Sequence, residues 1–148
     1  MDKERLIEAL KRHEGVELKM YQDTVSKWTV GIGRNIEDNG ISMDEAELML
    51  SNDLVTAESE ARILFNTFDT LNDVRQEVIC NMLFNLGRPR LGQFKKMLAA
   101  LEVSDFETAA NEAKDSRWFN QIKGRGRELV WQLRNGEIGT IIDWDSEE

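Results

Sequence analysis

Apolar positions recur with a helical period over most of this chain and with a period near two in one short stretch. Leu6, Ile7 and Leu10 form an i, i+1, i+4 stripe behind Asp2, which predicts a capped helix from about Lys3 to His13 with that stripe facing a core. Gly15 fits its end. From Leu18 to Arg34 the period shortens. Lys19-Met20-Tyr21 and Trp28–Ile32 read as strands, Gln22–Lys27 as their turn, and Glu37–Gly40 as a further turn. Ser42-Met-Asp-Glu45 has the form of a capping box, so a helix opens at Met43; its apolar positions continue through Leu64 without a breaker, about twenty residues. Leu71–Leu86 is the most apolar helix, stopped by Gly87 and Pro89, with most of Val74, Val78, Ile79, Met82, Leu83 and Leu86 expected in a core. Further helices follow over Leu91–Leu101, from a second box at Ser104–Glu107 to about Lys114, over Ser116–Gln121, and from Gly124 or Arg125 to Asn135, with Gly136 as the stop. The acidic tail Asp143–Glu148 is expected to fray.

Composition narrows the class. The chain has 148 residues, 41% hydrophobic and 32% charged with a single proline, which suits one folded domain with a substantial core. No apolar run approaches the length of a membrane span, and the charged start lacks the apolar centre of a secretory signal, so no membrane insertion and synthesis in a cytosol are expected. One cysteine, Cys80, excludes an internal disulfide, and its apolar helical setting reads as a buried, inert thiol. His13 is the only histidine and there is no Cys-x-x-Cys, so no metal and no cofactor are expected. A formal net charge of −9 argues against nucleic-acid binding.

The candidate chemistry lies in His13–Asn35. Glu14 precedes Gly15, Asp23 falls in the turn between the two strands, and Thr29 opens the second strand. Cleavage of an acetal bond needs a protonated acid for the leaving oxygen, an ionised carboxylate, and something to hold the attacking water. These three side chains fill those roles. By composition and spacing alone the favoured reading is a helix-ending glutamate, a turn-capping aspartate and a strand threonine.

The pattern Glu-Gly, Tyr-x-Asp-Thr, Trp-Thr-Val-Gly-x-Gly resembles the catalytic segment of the phage-type lysozymes, glycoside hydrolase family 24. Asn81-Met-Leu-Phe-Asn-Leu-Gly87 resembles that family's central-helix motif, and Ser116–Gln121 with Arg125 and Arg134-Asn-Gly136 its C-terminal signature. The resemblance implies a mainly helical α+β fold of two lobes. A small lobe with a short antiparallel sheet, residues 13–50 or so, joins through a long helix to a helical lobe of about residues 65–148 plus the N-terminal helix, with the cleft between them. It implies a muramidase acting on the β-1,4 bond between N-acetylmuramic acid and N-acetylglucosamine, with Glu14 as general acid and Asp23 and Thr29 holding water. Phe84 and Asn111 match substrate-contacting residues, and Arg125, Trp118 and Asn85 supporting ones. Phe84 reads equally as core, and Trp118 as a plug beneath the cleft.

Inversion needs carboxyls roughly 6.5–9.5 Å apart, and retention roughly 5–5.5 Å. The sequence leaves both open, while the resemblance implies inversion. The partner implied is the peptidoglycan glycan strand, met by a monomer that leaves the host cytoplasm with the help of a separate export or pore-forming protein. Two other readings compete: a lytic transglycosylase, which needs no positioned water, and a non-catalytic wall-binding module of the same fold.

The chain departs from the family pattern in three places. Arg34 stands where a histidine often follows Gly-x-Gly, and Asp53 is expected to pair with it. Asn35 stands where longer members have an apolar cleft residue. The chain is also acidic where most members are basic. Lys114, Arg117, Lys123, Arg125, Arg127 and Arg134 outnumber nearby acids, so a positive rim on the helical lobe is expected, with the acidic tail facing away.

Overall fold

The computed structural model describes Met1–Glu148. In chain order it contains α1 (Lys3–Glu14), β1 (Glu17–Gln22), β2 (Trp28–Gly31), β3 (Arg34–Asn35), α2 (Ile36–Asn39), α3 (Met43–Leu64), α4 (Asp73–Leu86), α5 (Arg88–Leu91), α6 (Lys95–Glu102), α7 (Phe106–Lys114), α8 (Arg117–Ile122), α9 (Gly124–Asn135) and α10 (Ile141–Asp145), with one 3-10 turn at Phe68–Thr70. Helix dominates and the single sheet is small and antiparallel, so the α+β class read from the sequence holds. The backbone divides into two units, Met1–Leu50 and Ser51–Glu148, the division falling inside α3.

In the first unit, Asp2 caps α1 by accepting a hydrogen bond from the Arg5 N–H at 3.0 Å. The sheet has the order β1-β2-β3. Tyr21 lies opposite Thr29 and Gln22 opposite Trp28, while Thr29 and Val30 face Asn35 and Arg34. Glu37–Gly40, read as a turn, is instead part of the one-turn helix α2, because the Asn35 side chain accepts from the Asp38 N–H and Gly40 ends the turn. The apolar stripe of α1 does not enter a core: Leu6, Ile7 and Leu10 remain 44%, 48% and 40% exposed. Fifty residues enclose little volume, and the buried apolar cluster begins only at Ala57.

The core belongs to the second unit. Val78, Ile79, Met82, Leu83 and Leu86 on α4 meet Leu129, Val130 and Leu133 on α9, with Met97, Leu98 and Leu101 on α6 and Trp118 on α8. Ala109, Ala110 and Ala113 give α7 a smooth buried face that lets α6 and α9 approach closely. Arg75 of α4 reaches the end of α9, donating to the Leu133 and Arg134 carbonyls at 2.8 and 2.9 Å with its guanidinium 3.6 Å from the Phe106 ring centre. Gly136, at φ 69°, is where α9 stops. A Cβ there would meet the Arg75 guanidinium at 2.8 Å, so glycine serves both the left-handed cap and the passage of Arg75.

Three boundaries differ from the sequence reading. The helix expected over Leu91–Leu101 is split: α5 ends at Gly92 and α6 starts at Lys95. Asp105 rather than Ser104 caps α7, accepting from the Thr108 N–H at 3.1 Å, while Ser104 sits in the left-handed region at φ 58° as α6 ends. A carboxylate also complements the helix dipole better than a hydroxyl does. The tail does not fray. Residues Ile141–Asp145 form α10 under a Thr140–Asp143 capping box, and Glu147 is buried.

Glu147 anchors that tail. Its carboxylate accepts from Arg134 Nε at 2.7 Å, Arg134 Nη2 at 3.1 Å and Lys114 Nζ at 3.2 Å. Arg134 also donates to Glu107 at 2.6 Å and to the Asn111 side-chain carbonyl at 2.8 Å. Burial pushes the Glu147 carboxyl up, but the hydrogen bonds and charges of Arg134 and Lys114 outweigh it and hold it below the ordinary range. Removing Glu147 leaves Arg134 half-buried without its main counter-charge. Glu147→Ala is therefore expected to cost about 2–4 kcal/mol in urea or thermal unfolding, below the fully buried case because Lys114 is partly wet. The exposed neighbour is the control, and Glu148→Ala should change stability by about 0.5 kcal/mol or less. Equal losses from the two would remove Glu147 as the anchor.

Candidate active site

Three of the residues singled out by sequence, Glu14, Asp23 and Thr29, lie in the first unit. Asp23 begins the turn after β1, closed by the Asp23 N–H donating to the Lys27 carbonyl at 2.9 Å and the Ser26 N–H to the Asp23 carbonyl at 3.0 Å. The side chain of Asp23 ties the same turn. Its Oδ1 accepts from the N–H groups of Val25 and Lys27, both at 2.9 Å. Two short amide bonds fix the plane of that carboxylate and leave Oδ2 without a protein donor. Thr29 is buried, and its hydroxyl donates to the Lys27 carbonyl at 2.9 Å. With its one proton committed, Thr29 Oγ1 presents only lone pairs to anything else.

Glu14 is the last residue of α1, and the Gly15 N–H closes the helix on the Lys11 carbonyl at 3.0 Å. Its carboxylate rests on Gly33, in the link between β2 and β3. A Cβ built on Gly33 would stand 2.7 Å from Glu14 Oε2, and the backbone there has φ 68°. Glycine is required twice over, by conformation and by the carboxylate that occupies the side-chain position. The helix end carrying Glu14 thus meets the sheet carrying Thr29.

The remaining candidates lie in the second unit. Asn85 accepts a hydrogen bond from Trp118 Nε1 at 2.9 Å, which fixes the indole in the core beside Phe94. Phe84 is 44% exposed and lines a depression of about 210 Å³ with Asp53, Thr56, Ala57, Glu60 and Leu83. Arg125 donates to Asn81 Oδ1 through Nε and Nη2, at 3.1 and 2.5 Å. Asn111 is held by Arg134, and its neighbour Glu112 lines the larger hollow, about 590 Å³, that Trp118 floors.

Two charge expectations are corrected. Arg34 does not pair with Asp53. It forms a two-pronged pair with Glu45, Nη1 to Oε1 at 2.8 Å and Nη2 to Oε2 at 2.5 Å. Glu45 sits in the first turn of α3, where its Oε1 also accepts from the Ser42 N–H at 2.8 Å, whereas Asp53 is eight residues, or roughly 12 Å, further along the helix. The positive rim is also not built as expected. Lys114 and Arg134 pair with Glu147 and Arg127 faces Asp145, so the tail lies on the basic residues instead of away from them. Of the expected rim, Arg117, Lys123 and Arg125 have no acidic partner, and Arg90, Lys95, Lys96 and Arg117 line the Trp118 hollow together with Glu112 and Asp115.

The chain matches the family model for phage lysozyme over residues 11–135. It is 26% identical to a probable T4-type lysozyme of Dictyostelium discoideum, covering 90% of this chain and 95% of that protein. It is 32% identical to an endolysin of Acyrthosiphon pisum secondary endosymbiont phage 1, over 70% of each. A third relative is the pre-baseplate central spike protein Gp5 of Enterobacteria phage T4, 28% identical over 90% of this chain, which spans 28% of the spike protein's length.

The Arg34–Glu45 pair has a pH signature. Hydrogen bonds from Arg34, then from the Ser42 N–H and hydroxyl, hold the Glu45 carboxyl down at about 2, against an ordinary value of 4.5. A depressed carboxyl stabilises the fold fully above its ordinary value and loses that contribution as pH falls towards 2. The gap in melting temperature between wild type and Glu45→Gln should thus be widest near neutrality and close between pH 4.5 and 2. A gap independent of pH would show that the ion pair contributes nothing through its charge.

Proposed function

The chain belongs to the phage lysozyme family, and from that membership we propose that it is a muramidase cleaving the β-1,4 bond between N-acetylmuramic acid and N-acetylglucosamine in peptidoglycan. Glu14 protonates the leaving oxygen. Asp23 and Thr29 hold the attacking water, and the product anomer is inverted.

The observation that carries this reading is the pair of acceptors left open in the Asp23–Thr29 turn. Asp23 Oδ2 has no protein donor, and Thr29 has spent its proton on the Lys27 carbonyl. A water donating one proton to each turns its own lone pairs away from the protein, towards substrate. As the oxygen attacks the anomeric carbon, Asp23 takes a proton, while Glu14 gives its own to the departing oxygen. A lytic transglycosylase has no use for such a water, because the sugar's own hydroxyl attacks. A binding module needs neither acceptor. The wall polymer is anionic, and around the Trp118 hollow Arg90, Lys95, Lys96 and Arg117 outnumber Glu112 and Asp115, a local excess of positive charge on a chain of net charge −9. No helix is long and apolar enough to cross a membrane, and access to the wall is assigned to a separate export or pore-forming protein.

Glu14→Gln is the direct test. The amide keeps the shape and lacks the acidic proton, so turbidity loss of permeabilised Gram-negative cells should slow by about 100-fold or more. Glu14 is exposed and accepts no hydrogen bond within its unit, so stability should change by about 0.5 kcal/mol or less. Wild-type products should carry free reducing ends. A Glu14→Gln enzyme at near-wild-type rate would remove the acid, and anhydromuramic ends would replace hydrolysis with transglycosylation.

A further inference from the structure

The backbone of Lys27 holds both water-binding residues. The Lys27 N–H donates to Asp23 Oδ1, and the Lys27 carbonyl accepts from the Asp23 N–H and from the Thr29 hydroxyl, all at 2.9 Å. The Lys27 carbonyl ties the Asp23 backbone to the Thr29 hydroxyl, so a shift of the Lys27 backbone moves both. The turn that carries it is not relaxed, because Ser26 adopts φ 64°, a conformation that a residue with a Cβ resists. A support outside the turn adds to its own hydrogen bonds.

That outside support is α2. Lys27 Nζ donates to Glu37 Oε2 at 3.3 Å and to Asp38 Oδ1 at 3.2 Å. Glu37 Oε1 accepts a weaker bond from the Trp28 N–H at 3.4 Å. Asn35 caps α2, accepting from the Asp38 N–H at 3.0 Å and donating to Asp38 Oδ2 at 2.9 Å, and across the sheet it lies opposite Thr29. The circuit closes on itself: Thr29 to Asn35, Asn35 to Asp38, Asp38 to Lys27, and Lys27 back to Asp23 and Thr29. Two adjacent acids on one helical turn repel each other unless a cation sits between them, and Lys27 fills that place. The charges respond accordingly. Asp38 and then Glu37 raise the Lys27 ammonium by their hydrogen bonds, and bonds from Asn35 and then Lys27 lower the Asp38 carboxyl.

We propose that Lys27, Glu37 and Asp38 form a positioning clamp that fixes the Lys27 peptide and, through it, the geometry of the water held by Asp23 and Thr29. The proposal rests on the reading of those two residues as the water-holding pair. The clamp residues act through Asp23 and Thr29 and not on the sugar themselves. Their side chains are 39%, 41% and 49% exposed, so the ion pairs add little to stability. Catalysis is far more sensitive, since a displacement of about 1 Å can cost on the order of 100-fold in rate. The clamp's signature is a loss of kcat at unchanged stability.

The test compares wild type with Lys27→Met, Lys27→Arg, the double variant Glu37→Gln with Asp38→Asn, and Asp23→Ala. Each is assayed for kcat and KM on purified peptidoglycan, for thermal unfolding, and for hydrogen exchange at the Val25 and Lys27 amides. Lys27→Met and the double variant should lose roughly 10-fold in kcat, with KM within about 2-fold, unchanged melting and faster exchange at both amides. Lys27→Arg should regain most of kcat, since a guanidinium still bridges the two acids. If Asp23→Ala is inactive while Lys27→Met keeps wild-type kcat and exchange, the clamp falls and the water-holding pair stands. If Asp23→Ala keeps the wild-type rate, the pair and the clamp fall together. A Lys27→Arg enzyme as slow as Lys27→Met would also overturn the clamp, because charge would not be what matters.

Discussion

A hydroxyl group has one proton, and Thr29 gives its proton to the Lys27 carbonyl. The functional account follows from that constraint. A threonine whose proton is committed can orient water only as an acceptor. An aspartate with one oxygen committed to two amides can do so only through the other. The Asp23–Lys27 turn commits Asp23 Oδ1 to two amides and the Thr29 proton to a carbonyl, leaving acceptor positions on both side chains. Such preorganisation needs no deep burial, which suits a first unit that has no apolar cluster of its own.

The second unit is organised on a different principle. Its core of α4, α6, α7 and α9 is apolar and closely packed, and its polar links are few and specific. Arg75 closes the carbonyl end of α9, Trp118 is pinned by Asn85, and Glu147 brings the chain terminus onto Arg134 and Lys114. The last of these changes the electrostatic picture. Lys114, Arg127 and Arg134 are paired with acids of the tail, while the Trp118 hollow is lined by four cations and two acids.

Local signals were legible in the sequence. Asp2, the Ser42–Glu45 box, Ser116 and Gly136 were read as helix boundaries, and each acts within four residues of its own position. Non-local pairings were not. Arg34 had two acids at plausible helical positions, and only the capping geometry of Glu45 decided between them. The tail looked like solvated acid because the residue that buries Glu147 lies thirteen positions upstream. Ser104 and Asp105 are both good caps, and the left-handed backbone at Ser104 settled which one served. In the candidate site, Glu14, Asp23 and Thr29 stand out through the resemblance of their segment to the phage-type lysozymes, since their spacing alone reads as a helix end, a turn cap and a strand threonine. The part played by Lys27 was hidden, because it is performed by a peptide group that every residue possesses. Asn35, which looked like a lost apolar contact, has a different task as the cap of α2.

The central claim is that Asp23 and Thr29 hold the water that attacks the anomeric carbon. Proton NMR of the first turnover products, recorded before mutarotation equilibrates them, tests it most directly. Attack by a water held opposite the leaving group inverts the β-linkage, so the new N-acetylmuramic acid end must appear first as the α-anomer. A β-anomer formed first would make Asp23 a nucleophile in a covalent, retaining pathway and would contradict the account.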